Sequence, residues 1–147
     1  MLLVDVTGEG ALPADAFAAD LPALVERAVR AALGDRRVGE AEVSVTLMDD
    51  EAMTALNRQW KGRDATTDVL AFALHEAGEA PLGDLYIGWQ QALRQAAEVG
   101  ERPARELVRL AVHGTLHVLG WDHPDEGREE SEMWRHQERI VDSIVIP

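Results

Sequence analysis

Apolar positions along the chain switch between a period of two and a helical period. Residues 2–6 (Leu-Leu-Val-Asp-Val) read as a first strand, and Gly8 and Gly10 punctuate the chain after it. Behind Asp20 and Pro22, the positions Leu21, Leu24, Val25, Ala28, Val29 and Ala32 recur as one face of a helix, with Gly34 expected as its left-handed stop. Val43, Val45 and Leu47 alternate with Ser44 and Thr46, the pattern of a half-buried strand. Asp49 or Asp50 caps the next helix, Met53 and Leu56 point toward a core, and Gly62 lies just past the end. Asp68 to Leu74 is apolar on both faces, as a strand in the middle of a sheet is. A loop from His75 to Gly83 leads to a strand at 84–88, and helices are expected at about 89–99, 103–119 and 127–145. The predicted fold class is α/β (α+β): one domain over residues 1–147, a mixed four-stranded sheet covered by about five helices, without repeats or linkers.

The 103–119 helix carries the chemistry. It contains Leu110-Ala-Val-His113-Gly-Thr-Leu-His117-Val-Leu-Gly120-Trp-Asp-His123. His113 and His117, four apart, project from one helix face about a turn apart. Leu107, Val108, Leu110, Ala111, Val112, Leu116, Val118 and Leu119 make that helix apolar nearly all round, so it belongs at the centre of the fold. Buried imidazoles need partners for their nitrogens, and a metal ion supplies one to each. Gly120 tolerates the positive φ that turns the chain back, and His123 arrives three residues later as a third ligand. Three imidazoles with a fourth position left to water is the open arrangement of a catalytic zinc. The plainer alternative is three core histidines bonded to carbonyls. His75, in a loop, and His136, on the acidic last helix, are expected at the surface. Thr115 and Trp121 read as packing residues.

The same spacing occurs in zinc peptidases with His-Glu-x-x-His-x-x-Gly-x-x-His, where the Glu is the general base. Here that position is Gly114. The ligand frame is kept and the base is missing, so an ion that activates water against a phosphodiester fits better than peptide hydrolysis.

Composition narrows the choice. The 147 residues include no cysteine, which excludes thiolate zinc sites, thiol nucleophiles and redox switching. The first residues lack a basic, then apolar, leader pattern, and no run approaches the ~20 apolar residues of a membrane span, so a cytoplasmic location and no membrane partner are expected. Lys and Arg total 14 against 27 Asp and Glu, a net charge of −13, so a nucleic-acid role requires the cations to be concentrated locally. Lys61 is the only lysine. Arg105 and Arg109 precede His113 in steps of four, with Arg102 before them, which suggests a strip leading to the histidines. A solvated helix face carrying pairs such as Arg102–Glu106 is the equal alternative. Arg58, Lys61 and Arg63 form a second group, while Asp125, Glu126, Glu129, Glu130, Glu132, Glu138 and Asp142 make the tail acidic.

At His113-Gly-Thr-Leu-His-Val-Leu-Gly-Trp-Asp-His123 the chain resembles the signature His-Gly-x-Leu-His-Leu-x-Gly-(aromatic)-Asp-His of the YbeY endoribonucleases, bacterial rRNA maturation factors. Leu56-Asn-Arg-Gln-Trp-Lys-Gly-Arg-Asp-Ala-Thr-Thr-Asp-Val-Leu-Ala-Phe72 is similar to the family's Leu-Asn-x-x-(aromatic)-Arg-Gly-x-Asp-x-Pro-Thr-Asp-Val-Leu-Ser-Phe, and Gly83-Asp-Leu-Tyr-Ile87 to its Gly-Asp-Ile-x-Ile strand. The resemblance spans nearly the whole chain. It implies a one-domain α/β fold, a zinc ion on His113, His117 and His123, and action on single-stranded RNA in small-subunit rRNA 3′-end processing and ribosome quality control.

The family's functional Arg falls at Lys61, which provides a point charge without the two-pronged grip of a guanidinium. Lys61, with Arg63 nearby, is expected to neutralise the scissile phosphate or its neighbour. Asp122 would orient a ligand imidazole or accept a proton. Arg63, Arg105 and Arg109 are the candidate substrate contacts. Ala65 and Ala71 replace the family's Pro and Ser, and Thr66, Thr67 and Asp68 open the following strand. Imidazole ligands also suit nickel, copper or iron. Two other readings stay open: a ribosome-assembly factor with a structural metal, and a metallopeptidase lacking its usual base.

Overall fold

The computed structural model describes residues 1–8, 14–122, 127, 129 and 131–146, with residue 14 described by its backbone alone. Among the described residues ten elements follow in order: β1 (Leu2–Gly8), α1 (Ala14–Phe17), α2 (Leu21–Asp35), β2 (Ala41–Met48), α3 (Asp50–Lys61), β3 (Val69–Ala73), β4 (Leu82–Gly88), α4 (Trp89–Val99), α5 (Pro103–Val118) and α6 (Glu132–Ser143). The four strands form one mixed sheet in the order β1-β2-β4-β3, parallel except for the antiparallel β3–β4 pair.

Alternation along β2 and β4 divides the sheet into two unequal faces. Val43, Val45, Leu47, Leu85 and Ile87 are fully or almost fully buried beneath α2 and α5. Among the described residues the opposite face is covered in part, by α3, where Met53 meets Met48 and Leu70 with Phe72 and Tyr86 against them. Burial of each large aliphatic chain contributes roughly 1.5–3 kcal/mol, so the α2/α5 face dominates the folding free energy.

α5 is the central element. Eleven of its sixteen residues are buried, so it is enclosed by α2, α4, α6 and the sheet. Its approach to the sheet depends on small residues. A Cβ on Gly114 would lie 2.9 Å from Leu85 Cδ2 and 3.2 Å from Val69 Cγ2, and one on Gly83 would lie 2.6 and 2.7 Å from the two methyl groups of Val118. Gly114 therefore sits where no side chain fits without displacing buried atoms.

Several boundaries follow the expected caps. Asp20 Oδ1 accepts from Ala23 N at 3.2 Å, and Asp49 Oδ1 accepts from Ala52 N at 2.9 Å. Gly62 closes α3 at φ 68°. Other details differ. α2 runs through Gly34, which is not left-handed, and the positive φ falls on Arg37 at 58°. β3 is an edge strand; its two apolar faces reflect cover by α5 on one side and α3 on the other. α6 begins only at Glu132, where Ser131 Oγ accepts from Trp134 N at 3.2 Å. A one-turn helix, α1, adds to the five expected.

Candidate functional site

α5 carries His113 and His117 to the open edge of the sheet. There they line a groove of about 610 Å³ together with Asn57, Lys61 and Arg63 from α3 and its exit, residues 65–68, and residues of β3. The loop after α3 is fixed from beneath by Asn57, which is 5% exposed and donates through Nδ2 to Ala65 O at 2.8 Å. Asp68 Oδ1 accepts from Val69 N at 2.7 Å, and the Asp68 carbonyl accepts from Gly88 N at 2.8 Å. These bonds hold the Lys61–Asp68 segment as one wall of the groove, with α5 as the other.

The two imidazoles converge. Their Nε2 atoms are 3.0 Å apart, and the rings lie nearly perpendicular at 79° with centroids 4.5 Å apart. Gln137 determines the state of His113. This α6 residue is 1% exposed, its Nε2 donates to Glu138 Oε2 at 3.0 Å, and its Oε1 faces His113 Nδ1 at 2.5 Å. A carboxylate only accepts, so the amide nitrogen must face Glu138 and the amide oxygen must face His113. His113 then carries its proton on Nδ1, and its Nε2 lone pair points toward His117. That is the tautomer and orientation of an imidazole ready to ligate an ion. Two nitrogens on a tetrahedral ion stand about 3.3 Å apart, a few tenths of an ångström from the observed separation. The pair fits an imidazole-ligated metal. Among the described residues no group of three His, Asp or Glu converges. His123, the expected third ligand, lies outside the described residues.

Asp122 is exposed at the turn after α5, where Gly120 adopts φ 93°. Trp121 packs against His136, with ring centroids 4.9 Å apart, and the Arg36 guanidinium stacks 4.6 Å above its ring. His136 is therefore half-buried and not at the surface, where the sequence places it. Thr115 is fully buried and donates to Ala111 O at 2.8 Å, consistent with a packing role. His75 ties off the β3–β4 connection, its Nδ1 accepting from Leu82 N at 3.1 Å.

The cations divide into two sets. Lys61 and Arg63 line the groove and make no ion pair among the described residues. Arg58, expected beside them, pairs with Asp64, its Nε donating to Oδ1 at 3.0 Å. Arg105 and Arg109, the other candidate substrate contacts, are not among the residues lining the groove, and each is engaged by carboxylates. Arg105 donates to Glu101 Oε1 at 2.8 Å and pairs with Asp142. Arg109 grips Glu138 through two 2.9 Å bonds, donates to Glu106 at 2.8 Å and also pairs with Glu101. The reason is the acidic sequence around them: α6 and the α4–α5 turn bring carboxylates onto the arginine stripe of α5. Burial works against the Arg109 charge, but its hydrogen bonds to Glu101, Glu138 and Glu106 outweigh it and hold its pKa above the ordinary value. The Arg109 hydrogen bond holds the Glu101 carboxyl below its usual range, against the opposing effect of burial. Arg109 thus connects to the site through Glu138, Gln137 and His113.

Gln137 and Asn57 are the residues that pattern reading misses. Each is a polar residue at a helix position that faces the core, and that misplaced polarity is the signal that would have found them.

Fold and groove together define a class: one-domain α/β proteins in which a buried helix brings paired histidines to an open sheet edge beside a small set of cations. The family model described as endoribonuclease YbeY matches residues 14–145, and the chain belongs to that family. The Endoribonuclease YbeY of Moorella thermoacetica is 44% identical over 139 residues, covering 86% of this chain and 88% of that protein. That of Azorhizobium caulinodans is 39% identical over 149 residues, covering 99% and 91%. The solution structure of a Thermotoga maritima protein superposes with a TM-score of 0.63 at 28% identity, covering 95% of this chain and 87% of that one.

Proposed function

We propose that the chain is a metal-dependent, single-strand-specific endoribonuclease that acts in the cytoplasm on rRNA of the small ribosomal subunit, in 3′-end maturation and quality control. The observation that carries this reading is the meeting of two Nε2 atoms, 3.0 Å apart, with Lys61 and Arg63 in one open groove. Its family membership agrees with an RNA substrate.

His113 and His117, with His123, would hold one zinc ion per chain, which when bound lowers the pKa of water and stabilises charge on phosphoryl oxygens. Gln137 keeps the His113 proton on Nδ1. Lys61 and Arg63 bind and orient the phosphate and offset its charge as it grows toward the transition state. Asp122 would orient the ring of His123. Peptide hydrolysis is disfavoured on steric grounds as well: Gly114 abuts Leu85 and Val69, so the general base of the peptidases has no room at that position.

Chelator treatment followed by zinc add-back tests this with a defined single-stranded RNA and its duplex. Loss and recovery of single-strand cleavage, with the duplex spared throughout, is the expected result. Cleavage that survives the chelator would contradict metal dependence.

A further inference from the structure

Trp89, Trp121 and Trp134 are half-buried, whereas Trp60 is 59% exposed. An indole carries a large apolar area that folding normally removes from water. Trp60 is nonetheless held in place. Its ring centroid is 5.6 Å from that of Phe72 at 58°, and Phe72 lies edge-on to Tyr86 at 6.0 Å and 74°. The three rings form a ledge from the last turn of α3 across β3 to β4.

The ledge adjoins the groove. Trp60 directly precedes Lys61, and Phe72 stands between Ala71 and Ala73; Lys61, Ala71 and Ala73 all line the groove. On a strand, Phe72 points to the face opposite Ala71 and Ala73, so the ledge lies on the α3 side of edge strand β3, and Lys61, next to Trp60 at the end of α3, links it to the groove. The neighbouring cations, Lys61 and Arg63, make no ion pair among the described residues, in a chain of net charge −13. A polyanion with flat apolar faces is complementary to that pairing of cation and aromatic ring; single-stranded nucleic acid has both features.

We propose that Trp60, backed by Phe72, is a stacking subsite for an unpaired nucleobase adjoining the phosphate held by Lys61 and Arg63. The proposal rests on the reading of the groove as an RNA site and adds the element that senses strandedness. In a duplex both faces of a base are covered by its neighbours, and only a base splayed from its stack can lie on Trp60. Stacking on an aromatic ring tolerates any base, so the subsite favours single strands without demanding a sequence.

The test uses the metal-loaded protein, a short single-stranded oligoribonucleotide, and versions of that oligonucleotide with one abasic position moved along it. Trp60→Ala is expected to raise Kd and KM about five-fold or more while kcat stays within about two-fold, and Trp60→Phe to recover most of the loss. One abasic position should weaken binding to wild type by a similar factor and add nothing to the loss in Trp60→Ala. If wild type binds and cleaves the oligonucleotide but Trp60→Ala does so equally well, the subsite is wrong and the RNA reading stands; the ledge is then a protein contact or bare surface. If wild type neither binds nor cleaves it, both fall. Should Trp60→Ala fail to fold, Trp60→Phe and the abasic series on wild type still decide, and equal binding at every abasic position overturns the proposal.

Discussion

Gln137 is the residue whose replacement says most about the site. It touches no expected substrate, yet it holds the proton of His113 on Nδ1 and is itself oriented by Glu138. Gln137→Leu keeps the volume and removes both bonds. Loss of such a supporting bond typically costs 10- to 100-fold in metal affinity or activity, so zinc competition with a chromophoric chelator should show a drop of about that size. A variant that binds zinc as tightly as wild type would show that the amide contact is incidental. Lys61 makes a different prediction. Lys61→Ala should weaken RNA binding and cleavage, while Lys61→Arg retains or improves both, because a guanidinium grips phosphate at two points. If Lys61→Ala changes neither, Lys61 is a surface residue.

Among the elements, two glycines give opposite expectations. Gly34 lies exposed in α2 with open space where a Cβ would stand, so Gly34→Ala should stabilise the fold by about 0.5–1 kcal/mol through backbone entropy. Gly114 lies in α5 against Leu85 and Val69, so Gly114→Ala should destabilise by about 1–3 kcal/mol despite the better helix propensity. Thermal unfolding of both variants checks the signs. Arg109 binds α5 to α6 and to the start of its own helix. Arg109→Ala leaves Glu106 and Glu138 without an ion-pair partner among the described residues and Glu101 with Arg105 alone, at a cost of about 3 kcal/mol or on the order of 10 °C in Tm.

This is also the scale at which the sequence is most and least informative. α5 is readable because its apolar positions and its histidines follow one period, and α3 because Asp49 and Gly62 mark its ends. The place of β3 is not. An apolar run such as residues 69–73 is the same whether strands or helices flank it, so edge and centre cannot be told apart locally. The ion pairing of the arginine strip is hidden from the sequence for a related reason. Steps of four place Arg105 and Arg109 toward the histidines, but which carboxylates α6 brings to that face is decided by tertiary contact.

For the whole molecule, charge sets two expectations. With two groove cations in a strongly acidic chain, RNA affinity should be modest, and log Kd should rise with log salt at a slope near 1–2, about 0.7 for each phosphate neutralised. A much steeper slope would mean that other arginines engage the strand. Acid stability follows from Glu101. Its folded pKa is depressed below the usual 4.5, so its contribution is present at neutral pH and is lost as pH falls below about 4.5 through the folded value. Urea midpoints between pH 3 and 7 should therefore fall on the acid side. Glu101→Gln should be weaker at pH 7 and show a shallower acid slope.

Metal content and cleavage, measured together on wild type and His117→Ala, bear most directly on the convergence of the two imidazoles. Wild type should carry close to one bound ion per chain and cut a defined single-stranded RNA, and His117→Ala should lose both while remaining folded. A folded His117→Ala protein that retains its ion and its cleavage would contradict the account.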